Sequence, residues 1–170
     1  MVSVKFVAAS SVLLLLLVFA AYPFGAVRAD SGAGSFTILL SGYAVNGELQ
    51  NVVMSSDGSI SMDMVLDGSV STSFGPIPIT ANGVWVGVRN GTTVSGTIEN
   101  VAGAVNPCFL FWCGTATFVG QGGWSGTLTA NSTLGSGGFE GTITFTSSDF
   151  SQLPVGQPQP ISGTWNADLT

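Results

Sequence analysis

The chain has 170 residues, nine of them acidic, three basic and none histidine, which gives a formal net charge of −6. Without histidine, Ser-His-Asp and Cys-His catalytic sites are excluded, and Arg89, the single basic residue after Arg28, cannot neutralise the phosphates of a nucleic acid. Two cysteines are too few for the usual zinc and iron sites. Carboxylate-based chemistry is the remaining, less favoured route to an enzyme, so we expect a non-enzymatic protein with no cofactor, no bound metal and no nucleic-acid partner.

Residues 1–29 predict a secretory signal peptide that is cleaved before Asp30. Residues 6–27 are uncharged and largely apolar, a Pro-Phe-Gly sequence interrupts them at 23–25, and Val27-Arg28-Ala29 has the pattern of a cleavage site. A run of this length also suits an uncleaved membrane anchor, but the interruption favours cleavage. We expect an extracellular or cell-surface protein with a flexible leader at 30–35 and one domain at 36–170.

Residues 36–170 predict an all-β domain. Gly, Ser, Thr and Val dominate it, and no segment keeps a helical apolar period. Ile60, Met62, Met64 and Leu66 instead share one face of a predicted strand, opposite Ser61, Asp63 and Asp67. The predicted strands are 35–42, 43–54, 59–67, 69–74, 76–81, 84–89, 92–100, 111–119, 123–131, 138–147 and 160–169. Tight turns are predicted at Asp57-Gly58, Asn82-Gly83 and Asn90-Gly91. Because some segments should merge, we expect an antiparallel β-sandwich or small β-barrel of about 8–10 strands.

A short pattern of apolar, polar, Gly, Thr and apolar residues recurs along the domain. It reads VSGTI at 94–98, WSGTL at 124–128, FEGTI at 139–143 and ISGTW at 161–165. On a strand, each motif glycine lies on the core face between bulky residues, where it leaves room for an aromatic ring or lets the strand bend. We therefore expect Gly-rich, curved strands; simple recurrence of Gly-Thr in Gly/Thr-rich strands is the alternative.

Residues 107–114 read PCFLFWCG and hold the two cysteines of the chain. In an exported protein, Cys108 and Cys113 should form a local disulfide, and four intervening residues suit a hairpin tip. The candidate interaction loop consists of Phe109, Leu110, Phe111 and Trp112. This tip could fold over one end of a barrel, dock on a protein partner or a second copy, or enter a membrane interface.

Asn90 and Asn131 begin Asn-X-Thr/Ser-type sequons and are candidate N-glycosylation sites. The carboxylates are expected to be solvated surface groups, since Asp63 and Asp67 lie about 13 Å apart along a strand, too far for a glycosidase pair. Calcium binding at Asp57 together with these two residues lacks a recognised loop spacing.

Threonine pairs on the outer face offer another, weaker site. They are Thr115/Thr117, Thr127/Thr129 and Thr142/Thr144. Such pairs could form a regular ladder that matches ice or crystalline polysaccharide, but threonine is a common residue on any exposed strand face.

From these features we expect a secreted, non-catalytic structural or interaction protein of the cell surface or extracellular matrix, with self-association or a protein partner at the disulfide-closed loop. Phe36–Leu40 could also add a strand to a neighbour's sheet, although by default this segment is the first strand of its own sheet. The first alternative is a small-ligand or glycan-binding barrel with an apolar mouth, in which Trp85, Trp124 and Trp165 could stack on sugars. A less favoured alternative is an outer-membrane barrel, whose alternation of apolar and polar residues looks the same in sequence.

Overall fold

The structure is a computed structural model that describes residues 32–40, 43–72, 75–109 and 112–170. These residues form strands and turns, and no helix occurs among them. The strands are β1 (Gly32–Leu40), β2 (Tyr43–Met54), β3 (Ser59–Thr72), β4 (Gly75–Asn90), β5 (Thr93–Val105), β6 (Cys108–Phe109), β7 (Trp112–Cys113), β8 (Ala116–Leu128), β9 (Leu134–Ser148) and β10 (Pro158–Asp168).

Eight of the described strands close into an antiparallel barrel in the order β1-β10-β9-β8-β5-β4-β3-β2. Apart from the closure of β1 onto β10, sheet neighbours are successive barrel strands along the chain, so the fold is an up-and-down meander. The prediction of an all-β domain is confirmed, and the structure selects a barrel over a sandwich. Because β1 is paired on both edges, Phe36–Leu40 is the first strand of its own sheet, as expected by default, and it is not free to add to a neighbouring sheet.

The barrel has two different ends. The lower end carries the turns at 55–58, 91–92 and 129–133 between successive strands. The upper end carries two longer connections, 106–115 between β5 and β8 and 149–157 between β9 and β10. The first of these contains the separate two-stranded sheet β6–β7. The features that distinguish this barrel from a plain meander are therefore gathered at its upper end.

The turn predictions are confirmed at two of three positions. Gly58 and Gly91 have φ of 85° and 64° in turns between strands, as the Asp-Gly and Asn-Gly signals require. The turn predicted at Asn82-Gly83 is wrong, because these residues lie inside β4 at a β-bulge against β5. A bulge uses the same residue types as a tight turn, so the short signal alone does not separate the two.

Further bulges lie at Asn51 and Asn100, which have φ of 49° and 54°. The pairing register shifts beside Asn51 between β2 and β3, and beside Asn100 between β5 and β8. Asparagine tolerates this left-handed backbone better than other side chains. These bends help to coil long strands into a closed barrel.

The alternation of apolar and polar residues places the core inside the barrel. Ile60, Met62, Met64 and Leu66 are all buried, and the polar residues between them are exposed or half-buried. The lower and middle parts of the interior are filled by a cluster of aromatic rings, which are Phe36, Trp85, Trp124, Phe139 and Trp165. Ring centroids in this cluster lie 5.3 to 6.3 Å apart, a range typical of stabilising aromatic pairs.

The motif glycines lie at close approaches inside the barrel, as predicted. A Cβ on Gly126 would lie 2.5 Å from Cζ2 of Trp165, and one on Gly163 would lie 2.4 Å from Cζ of Phe139. On Gly96 and Gly141 the nearest atom would be the carbonyl oxygen of a paired strand, at 1.9 and 2.4 Å. All four motif glycines thus allow the backbone of a paired strand to approach closely, and Gly126 and Gly163 also make room for rings.

Candidate functional site

The upper half of the barrel contains a cavity of about 580 Å³. This volume lies within the range of small-molecule pockets. Its wall is formed by apolar side chains from most of the barrel strands, namely Ile38, Met64, Leu66, Ile79, Ala81, Ile98, Val101, Val105, Phe118, Ile143, Phe145 and Ile161. Gly120 also borders the cavity and contributes no side chain to its wall.

Trp85 and Phe139 form the floor of the cavity, where it meets the aromatic cluster. Both rings are buried, and their centroids lie 5.3 Å apart in an edge-on arrangement. Trp124 and Trp165 donate their indole N–H groups to the carbonyls of Val86 and Ser125 at 3.2 and 3.1 Å. Among the described residues, Nε1 of Trp85 is the buried side-chain donor that has no hydrogen-bond partner.

The connection 149–157 lies at the mouth of the cavity and contributes Leu153 and Pro154 to its lining. It is attached to β9, since the amide of Gly156 donates to the carbonyl of Phe145 at 2.8 Å. It is also attached to the base of the disulfide hairpin. The amide of Thr115 donates to Oδ2 of Asp149 at 2.8 Å, and the amide of Asp149 donates to the carbonyl of Thr115 at 3.0 Å. The two upper connections are thereby joined beside the mouth.

The polar groups near the cavity are few. Gln159 lies on the inner face of β10, two positions above Ile161, and is half-buried. Gln121 also borders the cavity, but it is exposed and lies between the inward Gly120 and Gly122, so its backbone rather than its amide faces inward. None of the described lining residues is ionisable. The cavity therefore offers apolar contact along its length and an amide near the mouth.

The charged residues that the structure describes lie outside this cavity. Arg89 is at the lower end of β4, where its Nε donates to the carbonyl of Gly91 at 2.7 Å. Asp57 is in a lower turn, where its Oδ1 accepts bonds from the hydroxyl and the amide of Ser59 at 2.7 and 2.9 Å. These bonds, the hydroxyl first, lower the pKa of the exposed Asp57 carboxyl from its ordinary value.

The predicted disulfide is present between Cys108 and Cys113, whose Cα atoms lie 4.1 Å apart. Both cysteines are exposed, and they face each other across the β6–β7 hairpin, as the spacing predicted. Leu110 and Phe111 lie outside the described residues, as do the side chains of Phe109 and Trp112. Binding through this interaction loop therefore stays a prediction, although the fold locates its base at the upper end, on the same side as the cavity mouth.

The other predicted sites are distributed over the outer surface. Asn90 and Asn131 are exposed at the lower end, so glycosylation there stays a prediction. Asp63 accepts a bond from Asn51 at 2.7 Å, and the described residues contain no group of three acidic, His or Cys side chains that could hold a metal ion. Thr142 and Thr144 oppose Gln121 and Val119 rather than other threonines, so β8 and β9 do not form the regular ladder considered above.

A second depression, of about 680 Å³, lies on the outer face of the barrel and is open to solvent. Thr37, Glu140 and Ser162 border it together with glycine backbone. The tryptophans considered for sugar stacking, Trp85, Trp124 and Trp165, are all buried, so none presents a ring face to solvent. Neither this depression nor the rest of the described surface thus provides the tryptophan platform expected for a glycan site.

Known proteins offer no assignment for this geometry. No helix in the described part of the chain is long and apolar enough to span a membrane. No protein-family model, curated protein or solved structure matches this chain.

Proposed function

We propose that this protein binds a small apolar molecule inside the upper half of the barrel. The observation that carries the proposal is the cavity of about 580 Å³, whose lining is almost entirely apolar. Protein interiors are close-packed, and voids larger than a water molecule are few. Here large rings fill the lower half of the same barrel, whereas the upper half is left partly open, with the smaller Ala81 and Val101 among the larger residues of its inner face. This division is typical of a barrel that closes one end and holds a ligand at the other.

The faces of the barrel favour this function over a membrane-spanning one. An outer-membrane barrel needs an outward apolar band and a polar interior. In the described strands the buried side chains are apolar, and Ser95, Thr97, Ser125, Thr127 and Thr164 are exposed on the outside. The exposed large apolar residues, such as Leu39, Val88 and Leu134, are separated among different strands. The alternation thus has the orientation of a water-exposed barrel with an apolar core.

Binding can be tested with diphenylhexatriene, an uncharged hydrocarbon dye that fluoresces when it leaves water. The purified full chain is expected to bind it in a saturable manner with a stoichiometry near one. Ile143→Trp fills part of the cavity and should weaken dye binding by at least about tenfold. Val119→Trp is the matched control, because Val119 is an exposed residue of the same wall and points outward. This control should bind the dye as well as the unmodified chain.

Ile161→Phe is a second cavity-filling variant, which can be tested if Ile143→Trp does not fold. Circular dichroism checks that each variant keeps its β structure. Absence of saturable dye binding to the unmodified chain would refute the proposal. Equal binding by the inward and outward variants would do the same, since it would place the dye elsewhere on the protein.

We also propose, as a second function, a protein contact at the disulfide loop. It is supported by the separation of β6–β7 from the barrel sheet and by the exposure of Cys108 and Cys113. A secreted structural or interaction protein would use Phe109 and Trp112 as apolar anchors. Sedimentation velocity at increasing concentration should show self-association that Phe109→Ser with Trp112→Ser abolishes, whereas a monomer at every concentration would contradict self-assembly.

A further inference from the structure

The amide of Gln159 adds information about the ligand that the cavity volume does not. Gln159 borders the cavity near its mouth. It lies on the inner face of β10, which it shares with the alternate residues Ile161, Gly163 and Trp165. Its Nε2 approaches the carbonyl of Gln157 at 3.5 Å, which is the outer limit of a hydrogen bond. The amide therefore has a donor and an acceptor that are not held by a strong protein bond.

The apolar wall and the position of this amide divide the cavity into two environments. A hydrocarbon portion would contact residues deeper in the barrel, such as Ile98, which pairs with Trp85 of the floor. A group near the mouth would meet the Gln159 amide, which can donate to one atom and accept from another. A hydroxyl matches this pair, because it can accept from Nε2 and donate to Oε1 at the same time.

The charges around the barrel do not favour an ionised head group. Arg89 lies ten residues beyond the lining residue Ile79 on β4, which is about 33 Å along the strand. This distance is roughly four times the Debye length of about 8 Å at physiological ionic strength. Asp149, in the connection at the mouth, would repel an anion. A carboxylate at the mouth would thus lose part of its hydration without gaining a cation.

We infer that the ligand is a neutral amphiphile whose hydrocarbon portion fills the barrel and whose hydroxyl group bonds to Gln159 at the mouth. This inference rests on the proposed binding function and specifies its substrate class. Gln159 is accordingly a specificity-determining residue, and the aliphatic alcohols are the simplest members of the class.

The test compares displacement of bound diphenylhexatriene by 1-dodecanol and by dodecanoate at pH 8, where the acid is ionised. The alcohol is expected to compete at least about tenfold better than the carboxylate. Gln159→Leu, which keeps the side-chain size but not the amide, should reduce the affinity for the alcohol by about five- to tenfold, the effect of one hydrogen bond. Its affinity for the hydrocarbon dye should stay within about twofold of the unmodified chain, because the dye has no polar atom.

Gln157→Leu is the matched control. Gln157 is exposed, and only its backbone carbonyl approaches the Gln159 amide, so this substitution should leave alcohol binding unchanged. Dye binding with equal competition by alcohol and carboxylate would overturn the inference while the proposed function stands. The same holds if Gln159→Leu binds the alcohol as the unmodified chain does. Failure of the unmodified chain to bind the dye would instead refute the proposed function itself.

Discussion

Substitution of Gly126 by alanine should destabilise the barrel, although alanine is normally the better residue in a strand. Gly126 belongs to the WSGTL motif on β8 and faces the interior. A Cβ at this position would lie 2.3 Å from the carbonyl oxygen of Ser136 and 2.5 Å from Cζ2 of Trp165. Real Cβ contacts are essentially never shorter than 3.0 Å, so the carbonyl would have to move by about 0.7 Å.

Neither neighbour can move freely. Ser136 is paired with Thr127 in the β8–β9 ladder, so its carbonyl is part of a continuous sheet. Trp165 is 2% exposed, and its ring lies edge-on to Trp124 at 5.3 Å. It also donates its N–H to the carbonyl of Ser125, directly beside the substituted residue. The added methyl group therefore meets packed atoms on both sides.

Overpacking of this kind costs about 1–3 kcal/mol. The loss of unfolded-chain entropy on replacing glycine offsets about 0.4–1 kcal/mol of this. We expect a net loss of about 1–2 kcal/mol, which corresponds to a fall in Tm of roughly 3–10 °C for a domain of this size. Gly123→Ala is the control on the same strand, because Gly123 faces outward and the nearest atom to its added Cβ would be 3.7 Å away. This variant should be neutral or more stable by about 0.4–1 kcal/mol.

The assay is equilibrium urea unfolding followed by near-ultraviolet circular dichroism, with thermal melts on the same samples. The near-ultraviolet signal reports on the packed tryptophans directly. The reasoning is refuted if Gly126→Ala is as stable as the unmodified chain. It is also refuted if the inward and outward variants shift stability by the same amount, since the contact distances would then have no bearing on the outcome.

Three further outcomes are expected. Trp85→Phe removes an unpartnered buried N–H, whereas Trp124→Phe breaks the hydrogen bond to the carbonyl of Val86. Urea unfolding should therefore show Trp124→Phe to be less stable than Trp85→Phe by at least about 1 kcal/mol. The reverse order would contradict the assignment of Trp85 Nε1 as the unpartnered donor. Joint replacement of Cys108 and Cys113 by serine should lower the free energy of unfolding by no more than about 2 kcal/mol, because the disulfide closes a short loop outside the barrel sheet. The double variant should also keep the β circular dichroism spectrum. Loss of that spectrum would show that the barrel needs the disulfide to fold. Ser59→Ala should raise the pKa of Asp57 toward its ordinary value in a carboxyl NMR titration, and an unchanged midpoint would exclude the proposed bonds as the cause. Because the pKa of Asp57 is lowered in the folded state, this carboxylate contributes slightly to stability above its unfolded-state pKa of about 3.9. The contribution is lost as the pH falls through the folded-state pKa. On acidification, the unmodified chain should therefore lose slightly more stability than Ser59→Ala.

The ligand proposal and the stability predictions depend on the same division of the barrel interior. Large rings such as Trp124 and Trp165 fill the lower part, so the glycines there are needed for close contact. In the upper part, Gly120 lines open volume, although the atoms nearest to an added Cβ would still be a carbonyl and two aliphatic side chains at 3.1 to 3.4 Å. Inward glycines thus allow close packing in the lower part of the barrel and border the cavity in the upper part. The atoms around each glycine decide which of these applies.

The sequence by itself determined the class of fold and much of the core. Alternation with period two identified the inward residues of β3 and the motif strands, because a strand directs successive side chains to opposite faces whatever its partners are. The same local logic located the turns at Asp57-Gly58 and Asn90-Gly91 and paired Cys108 with Cys113, since these features depend on residues near one another in the chain.

The tertiary structure decided what depends on residues far apart. Asn82-Gly83 became a bulge because β3 and β5 pair with β4 across this point, which no local pattern records. Closure of β1 onto β10 joins residues such as Phe36 and Trp165, and it is this closure that makes a barrel rather than a sandwich. An apolar barrel mouth was only an alternative in the sequence, and the residues that line the cavity were not identified, for the same reason. The small inward residues Ala81 and Gly120 were a signal in the sequence, but an unfilled volume exists only once all the strands that surround it are in place.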